Sequence, residues 1–208
     1  MNELFDGPSP ASGKIDPDAD VLARLAHGDE DALGDLMERH LGAIKNLAWH
    51  MLGDEMAAED IAQEVFIKAW KQALNWQTGH AKFSTWLYRV AKNACLDRLR
   101  KKREIYSDEV PEMVDEAPLA SEALMHAEDE HSRQTHVQAA IALLPERQRL
   151  AITLCHYQEL SQKQAAEIME IGVRAYESLL ARARRSLRTQ LRPHKQLLID
   201  GSPQSEDI

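Results

Sequence analysis

Several features that define whole classes of protein are scarce or missing in this sequence. It has two cysteines, Cys95 and Cys155, without CxxC spacing, so we expect two small buried residues rather than a disulfide framework. No apolar run approaches the roughly 18 residues of a membrane span, and the N-terminus lacks a signal-peptide pattern. A cytoplasmic protein with no membrane contact is therefore expected.

Sequence motifs of common enzymes are also missing. There is no HExxH, no Gly-rich phosphate loop and no GxSxG. Of the nine histidines, His27, His40 and His50 lack the i, i+4 spacing of metal ligands on a helix. We therefore expect no enzyme, no metal site and no cofactor.

What the sequence does have is a strongly uneven charge. The formal net charge is −9, with 34 acidic residues against 25 Lys and Arg. Residues 82–104 nevertheless hold eight basic and two acidic residues, and residues 171–195 hold seven basic and one acidic. Residues 105–130 hold nine carboxylates and no Lys or Arg. This division predicts two basic modules joined by an acidic linker.

Apolar periodicity predicts an all-α protein with two small helical domains. Only 5% of the residues are aromatic, and no segment alternates long enough to predict a strand. Gly28 and Gly53 are expected helix breaks, and Ser84 is an expected N-cap. The predicted segments are a disordered tail at 1–17, a first domain at 18–104, an acidic linker at 105–130, a second domain at 131–192 and a polar tail at 193–208.

The second domain ends in a helix-turn-helix pattern. Ser161 and Gln164 have capping-box spacing, and Val173 opens a second helix after a turn at residues 170–172. Such a helix reads base edges with residues near its N-terminus and holds phosphates farther along. The base-edge candidates are Arg174, Ala175, Glu177 and Ser178, and the phosphate candidates are Arg182, Arg185 and Arg188. Glu170 stands where this turn commonly has Gly, which predicts an unfavourable or altered backbone.

Two helices of the first domain carry further candidate surfaces. Residues 58–71, AEDIAQEVFIKAWK, place an acidic strip beside an apolar one. Residues 83–103 combine aromatic and basic side chains, the pairing that single-stranded nucleic acid requires. The alternatives are a solvated acidic face, and core positions for Phe83 and Trp86. Thr85, Tyr88, Arg89, Lys92 and Asn93 are expected along an exposed stripe.

These motifs, followed by LPERQR and SLLARARRSLR in that order, resemble an extracytoplasmic-function (ECF, group 4) sigma factor of the sigma-70 family. The resemblance covers about residues 20–103 (region 2) and 132–192 (region 4). It implies a subunit of RNA polymerase that directs promoter-specific transcription initiation. The implied partners are core polymerase, through the β′ clamp helices and the β flap, promoter DNA, and an anti-sigma factor.

The resemblance also implies residue roles. Region 2 would melt and hold the −10 element as single-stranded DNA, and region 4 would read the −35 duplex. The implied −10 residues are Trp76, His80, Lys82, Ser84, Thr85, Trp86, Tyr88, Arg89, Lys92, Asn93, Arg98 and Arg100. The −35 residues are Arg174, Ala175, Glu177, Ser178, Arg182 and Arg185. The clamp-binding residues are Glu59, Asp60, Gln63, Glu64, Phe66 and Lys71.

Two alternatives remain open at this point. A stand-alone dimeric helix-turn-helix regulator would bind palindromic sites and would not need the aromatic and basic residues at 83–103. The acidic linker either threads the polymerase toward the RNA exit path, as in the family, or is a solvated spacer. When one domain is bound to its promoter element, a flexible linker gives the other domain only a low effective concentration at the second element. We therefore expect weak, salt-sensitive DNA binding by the free protein.

Overall fold

The computed structural model describes residues 16–29, 31–76, 81–108 and 127–192. For residues 105–108 and 127–134 it describes the backbone only. Every regular element in these ranges is a helix, and none is a strand. The all-α prediction is therefore confirmed. Of the site residues expected from the sequence, His80 lies outside the described ranges, as do most of the linker and both tails.

Four helices form the N-terminal domain: α1 (Ala19–Ala26), α2 (Asp31–Leu52), α3 (Glu55–Ala73) and α4 (Phe83–Asp108). Gly28 (φ 85°) and Gly53 (φ 69°) follow α1 and α2 in the left-handed region, which glycine enters at little cost. Both predicted breaks are confirmed. The Asp54 carboxylate then caps α3 by accepting the Ala57 N–H at 3.0 Å.

Helix α2 organises the core of this domain because it contacts α1, α3 and α4. Its apolar stripe includes Leu36, Ile44, Leu47 and Met51, all essentially inaccessible to solvent. Burying each such side chain contributes about 1.5–3 kcal/mol before conformational entropy is subtracted. The stripe therefore holds the other three helices, including the basic helix α4, in fixed positions.

The start of α4 differs from the prediction that Ser84 caps it. The helix begins at Phe83, so Ser84 lies in its first turn. The Phe83 N–H instead donates to Asp16 Oδ2 at 2.7 Å. Asp16 is buried, although the sequence placed it in the N-terminal tail. A carboxylate 67 positions away supplies the capping oxygen that a local Ser was expected to supply.

The C-terminal domain consists of α5 (Ala127–Ala142), α6 (Glu146–Ile152), α7 (Gln162–Ile168) and α8 (Val173–Leu191). Pro145 immediately precedes α6. Ser161 and Gln164 form the predicted capping box at the start of α7, with the Gln164 N–H donating to Ser161 Oγ at 3.3 Å. Helix α8 packs on α6 and α7, which confirms the helix-turn-helix arrangement.

A π-helical turn at Thr153–Tyr157 continues α6, and the sequence did not predict it. The Gln158 N–H donates to the Thr153 carbonyl five residues earlier, at 3.2 Å. The wider turn brings the Tyr157 ring onto the His50 ring of α2, with centroids 3.5 Å apart. It thus contributes to the contact between the two domains.

The two domains are packed together, and their buried side chains form one continuous cluster. Helix α4 contacts α7, and α2 contacts α5, α6 and the π turn. Arg149 adds a polar link by donating to the Met51 carbonyl at 2.6 Å. No helix in the described part of the chain is long and apolar enough to cross a membrane.

Candidate nucleic-acid interface

An aromatic cluster stands at the N-terminal end of α4. Phe83 is fully buried and stacks on Trp86 with ring centroids 5.4 Å apart. Trp76 meets Phe83 edge-on at 4.9 Å. Trp76 and Trp86 are only partly buried, so each retains surface that an unpaired base could contact. Phe83 is a core residue, as one of the two alternatives held.

The polar residues expected along an exposed stripe of α4 are mostly covered. Thr85, Tyr88 and Lys92 are buried, and the Arg89 side chain is only a quarter exposed. Asn93 is exposed, while Lys82 and Ser84 are half-buried. The expectation of one exposed stripe is therefore wrong for its central residues. The physical reason is that the C-terminal domain packs on this part of α4, a contact that helical periodicity does not encode.

Hydrogen bonds from Tyr88, Arg89 and Lys92 attach this covered face to the C-terminal domain. Lys92 Nζ lies 2.6 Å from Glu170 Oε2 and 3.2 Å from the Ile168 carbonyl oxygen. Arg89 Nη2 donates to the Glu167 carbonyl at 2.9 Å. The Tyr88 hydroxyl donates to Gln158 Oε1 at 2.9 Å. The two cations of α4 are thus directed at oxygen atoms at the end of α7.

Glu170 ends α7 with the unfavourable backbone that the sequence predicted. Its φ is 56°, and the N–H groups of Glu170 and Ile171 donate to the carbonyls of Glu167 and Ala166, as in a Schellman motif. Glycine is the usual residue at this position because it has no Cβ. The hydrogen bond from Lys92 lowers the pKa of the Glu170 carboxyl, and partial burial opposes that shift more weakly.

The distal half of α4 is open to solvent. Arg98 and Arg100 are exposed, with Arg98 3.6 Å from Asp60 and Arg100 3.0 Å from Asp97. Lys101 and Lys102 are also exposed, and Arg103 donates to Glu146 across the domain boundary. Exposed ion pairs of this kind are weak and exchange readily. These cations remain accessible to a polyanion.

Helix α3 displays the predicted acidic strip. Glu59, Asp60, Gln63, Glu64 and Lys71 are all exposed. Lys45 and Lys68 pair with two of the carboxylates, at 2.7 Å from Glu59 and 2.6 Å from Glu64. Phe66, predicted with this strip, is buried in the core. Phe66 is not exposed as a surface contact because it lies four residues after buried Ala62 and three before buried Ala69, on the inward face of the helix.

Two apolar side chains beside this strip were not singled out from the sequence. Met56 is 79% exposed and Ile67 is 59% exposed. Positions 56, 60, 63 and 67 have the three- and four-residue spacing of one helix face. The available signal was that Ile67 does not fit the buried set of Ile61, Val65 and Ala69. A mixed acidic and apolar surface of this kind is suited to a protein partner.

Helix α8 presents its N-terminal turn to solvent. Arg174, Ala175, Glu177 and Ser178 are exposed, as the sequence predicted. Tyr176 between them is fully buried, and its hydroxyl donates to the Ala151 carbonyl at 2.9 Å. Burial raises the pKa of Tyr176 to about 12, so the hydroxyl stays protonated as a donor. This anchor fixes the rotation of α8 and thereby the direction of the exposed residues.

The arginines farther along α8 separate into two faces. Arg182, Arg185 and Arg188 are exposed and follow one another at three-residue spacing. Arg184 lies elsewhere, with Nη2 3.7 Å from the sulfur of Cys155. The first three form a basic row next to the base-edge candidates, the arrangement that positions a helix on duplex DNA.

Neither cysteine lies in a metal cluster. No group of three His, Cys, Asp or Glu that could hold a metal occurs among the residues that the structure describes. Cys95 is buried, and burial raises the pKa of its thiol to about 12. Cys155 is partly buried. Both thiols are free.

Comparison with known proteins agrees with this arrangement. The family models for Sigma-70 region 2 and Sigma-70 region 4 match residues 36–105 and 135–187. The ECF RNA polymerase sigma factor SigW of Bacillus subtilis (strain 168) is 35% identical over 182 residues, covering 82% of this chain and 95% of its own. The chain belongs to the ECF sigma-factor family. Sigma factors are regulatory proteins, in agreement with the expected non-enzymatic role.

Other members of the sigma-factor family extend the match. The RNA polymerase sigma-H factor of Pseudomonas aeruginosa (strain PAO1) is 32% identical over 183 residues, which is 85% of this chain and 94% of its own. The structure of CnrH in complex with the cytosolic domain of CnrY superposes with a TM-score of 0.62 at 25% identity. That superposition covers 86% of this sigma factor and 99% of CnrH. The N-terminal domain is thus region 2, and the C-terminal domain is region 4.

Proposed function

We propose that this sigma factor directs promoter-specific initiation by holding the −10 strand with α4 and reading the −35 duplex with α8. The observation that carries this proposal is the pairing of two different surfaces. One combines aromatic rings with cations, as single strands require. The other is an exposed helix N-terminus followed by a basic row, as a major groove requires.

On α8, the exposed first turn supplies the readers of the −35 element. Arg174 is suited to guanine, since a guanidinium can donate to O6 and N7 together, and Glu177 can accept from cytosine N4. Ser178 also donates its hydroxyl to the Arg174 carbonyl at 3.0 Å, which leaves its oxygen lone pairs available to the duplex. Ala175 adds a small apolar surface suited to a thymine methyl group. Arg182 and Arg185 would hold the adjacent phosphates.

On α4, the partly buried Trp76 and Trp86 would stack against separated bases of the −10 element. Lys82, Ser84, Thr85, Tyr88, Arg89, Lys92 and Asn93, together with Arg98 and Arg100, would contact its backbone and base edges. His80, outside the described ranges, is assigned by the resemblance alone. Because several of these side chains are covered by region 4, the proposal requires the two domains to separate when promoter DNA binds.

Core polymerase supplies the partner for the α3 surface. Glu59, Asp60, Gln63, Glu64 and Lys71 would dock on the β′ clamp helices in the cytoplasm, with Met56 and Ile67 adding apolar contact. Region 4 would sit on the β flap, and residues 105–130 would form the acidic connector between the domains. Arg98, which pairs with Asp60 across α3 and α4, links the clamp surface to the DNA surface.

An anti-sigma factor is proposed as the controlling partner. The CnrH chain, which has this fold, was solved in complex with the cytosolic domain of a second protein. A partner that holds regions 2 and 4 together would keep the covered face of α4 from DNA. Such a partner would act on the same contact between α4 and α7 described above.

Transcription in vitro with core polymerase tests the proposal. Templates carry a library randomised at both promoter elements, and the RNA products are sequenced. We expect transcripts enriched for one −10 and one −35 sequence, at the spacing set by the two domains. No initiation from any library member would contradict the sigma assignment. Tight, sequence-specific binding to palindromic duplex without polymerase would instead support the dimeric-regulator alternative.

A further inference from the structure

We propose that the end of α7 is an internal competitor for the DNA-binding cations of α4, so that the free protein covers its own −10 surface. The competing groups are the Glu170 carboxylate and the carbonyls of Glu167 and Ile168. That these groups compete with promoter DNA rests on the proposed function. The contact between α4 and the end of α7, here called the closure, does not. DNA and the α7 turn would therefore bind α4 one at a time.

The oxygen atoms at the end of α7 bind the donor groups that would otherwise be available to phosphate oxygens. Lys92 Nζ is bound by one carboxylate oxygen at 2.6 Å and one carbonyl oxygen at 3.2 Å, and its side chain is only 7% exposed. Arg89 directs Nε and Nη2 at the Glu167 carbonyl, at 3.2 and 2.9 Å. Lys and Arg bind phosphate with these same donors. While the contact persists, neither cation can reach a nucleic acid.

Glu at position 170 is suited to the contact with Lys92 but not to the backbone of the turn in which it lies. A positive φ is unfavourable for Glu and nearly free for Gly, so Gly would suit the turn better. Gly would, however, lack the carboxylate that Lys92 binds. The Glu170 side chain is still 59% exposed, so water and salt can compete for it and the contact can open. The contact can therefore break and re-form, which is required if α7 is to cover α4 reversibly.

Further contacts between region 2 and region 4 extend the closure beyond the bonds of Lys92 and Arg89. Tyr88 donates to Gln158, and Tyr157 stacks on His50. Tyr157 is the last residue of the π turn, and Gln158 directly follows it. This unpredicted distortion of α6 therefore contributes directly to covering region 2.

Chemical modification of Lys92 in the full-length protein tests the closure. The chain is treated with an amine-acylating reagent, and the rate at each lysine is measured by mass spectrometry. Lys101 and Lys102, exposed on the same helix, are the internal references. We expect Lys92 to react several-fold more slowly than these two in the wild-type protein.

Two substitutions at position 170 separate the carboxylate from the backbone. Glu170→Gly removes both the carboxylate and the unfavourable φ, whereas Glu170→Gln removes only the charge. Each should raise the Lys92 rate about fivefold, because Glu170 is more than half exposed and water weakens its bond with Lys92 to about 1 kcal/mol. Glu38→Gln makes the same charge change at an exposed site on α2 and should leave the rate unchanged.

Three other outcomes of the acylation experiment would overturn the proposal. Equal rates at Lys92 and Lys101 in the wild-type protein would mean that α4 is not covered. A response to Glu170→Gly alone would assign the effect to the backbone, and an equal response to Glu38→Gln would assign it to net charge. Failure of transcription in vitro, with the Lys92 pattern intact, would reject the sigma roles and leave the closure standing.

Discussion

Helices α4 and α8 both carry rows of cations, yet they differ in what surrounds those cations. On α8, the exposed arginines follow a buried anchor, Tyr176, and face solvent. On α4, the central cations are covered by region 4 and bound to its oxygen atoms, while only the distal ones face solvent. The two surfaces proposed to bind DNA therefore differ in accessibility. Under the proposed function, the duplex-reading surface of α8 is available in the free chain, whereas the single-strand surface of α4 must be uncovered.

The largest expected effect comes from removing the anchor of α8. Tyr176→Ala empties a fully buried site and deletes the bond to the Ala151 carbonyl, which should cost about 3–5 kcal/mol of unfolding free energy. Urea denaturation followed by circular dichroism measures this loss. Tyr176→Phe keeps the ring and should lose only about 1 kcal/mol. Equal losses for the two variants would mean that ring packing does not orient α8.

A smaller effect on DNA binding distinguishes the base-edge residues of α8 from its phosphate-binding residues. Arg174→Ala should cost about 1–3 kcal/mol at one base pair of the −35 element and relax its sequence preference. Arg182→Ala should weaken all sequences alike and reduce the salt slope of binding by about 1. Both are measured with holoenzyme on the promoter library across a salt series. The same change in preference for both variants would contradict the division of α8 into two roles.

The smallest effect is expected at the edge of the covered surface. Burial lowers the pKa of His50, and a hydrogen bond with Gln138 opposes that shift. An imidazole held neutral in the folded state stabilises it fully above the unfolded pKa of about 6.5, and this stability is lost as pH falls below that value. Wild type should therefore lose more stability than His50→Gln between pH 7.5 and 5.5, by less than about 1 kcal/mol.

Thermal unfolding across this pH range measures the difference. The other histidines are the same in both proteins, so the comparison isolates position 50. Parallel pH curves for the two proteins would show that His50 is not kept neutral by the contact between the domains.

Rules that depend on neighbouring residues predicted the helix boundaries and the exposed part of α8 well. The capping box at Ser161, the breaks at Gly28 and Gly53, and the exposed first turn of α8 all depend on neighbours within a few residues. The positive φ of Glu170 followed from the turn chemistry alone. A helix face that contacts no other domain is described adequately by its own periodicity.

The covered surface could not be predicted in this way. Asp16 caps α4 from 67 positions away, and Glu170 meets Lys92 from 78 positions away. Periodicity identifies which face of α4 is polar but not whether a second domain packs on it. Phe66 shows the converse, since the resemblance assigned it to the clamp-binding surface whereas the structure buries it in the core.

The distance between the two domains tests the central claim most directly. Spin labels at Glu38→Cys and Gln162→Cys, both exposed, would be placed in a Cys155→Ser background, where the buried Cys95 stays unlabelled. Pulsed electron paramagnetic resonance is then recorded for the free chain and for holoenzyme on promoter DNA. We predict one narrow, short distance in the free chain and a longer one on the promoter. The same short distance in both states would contradict the account.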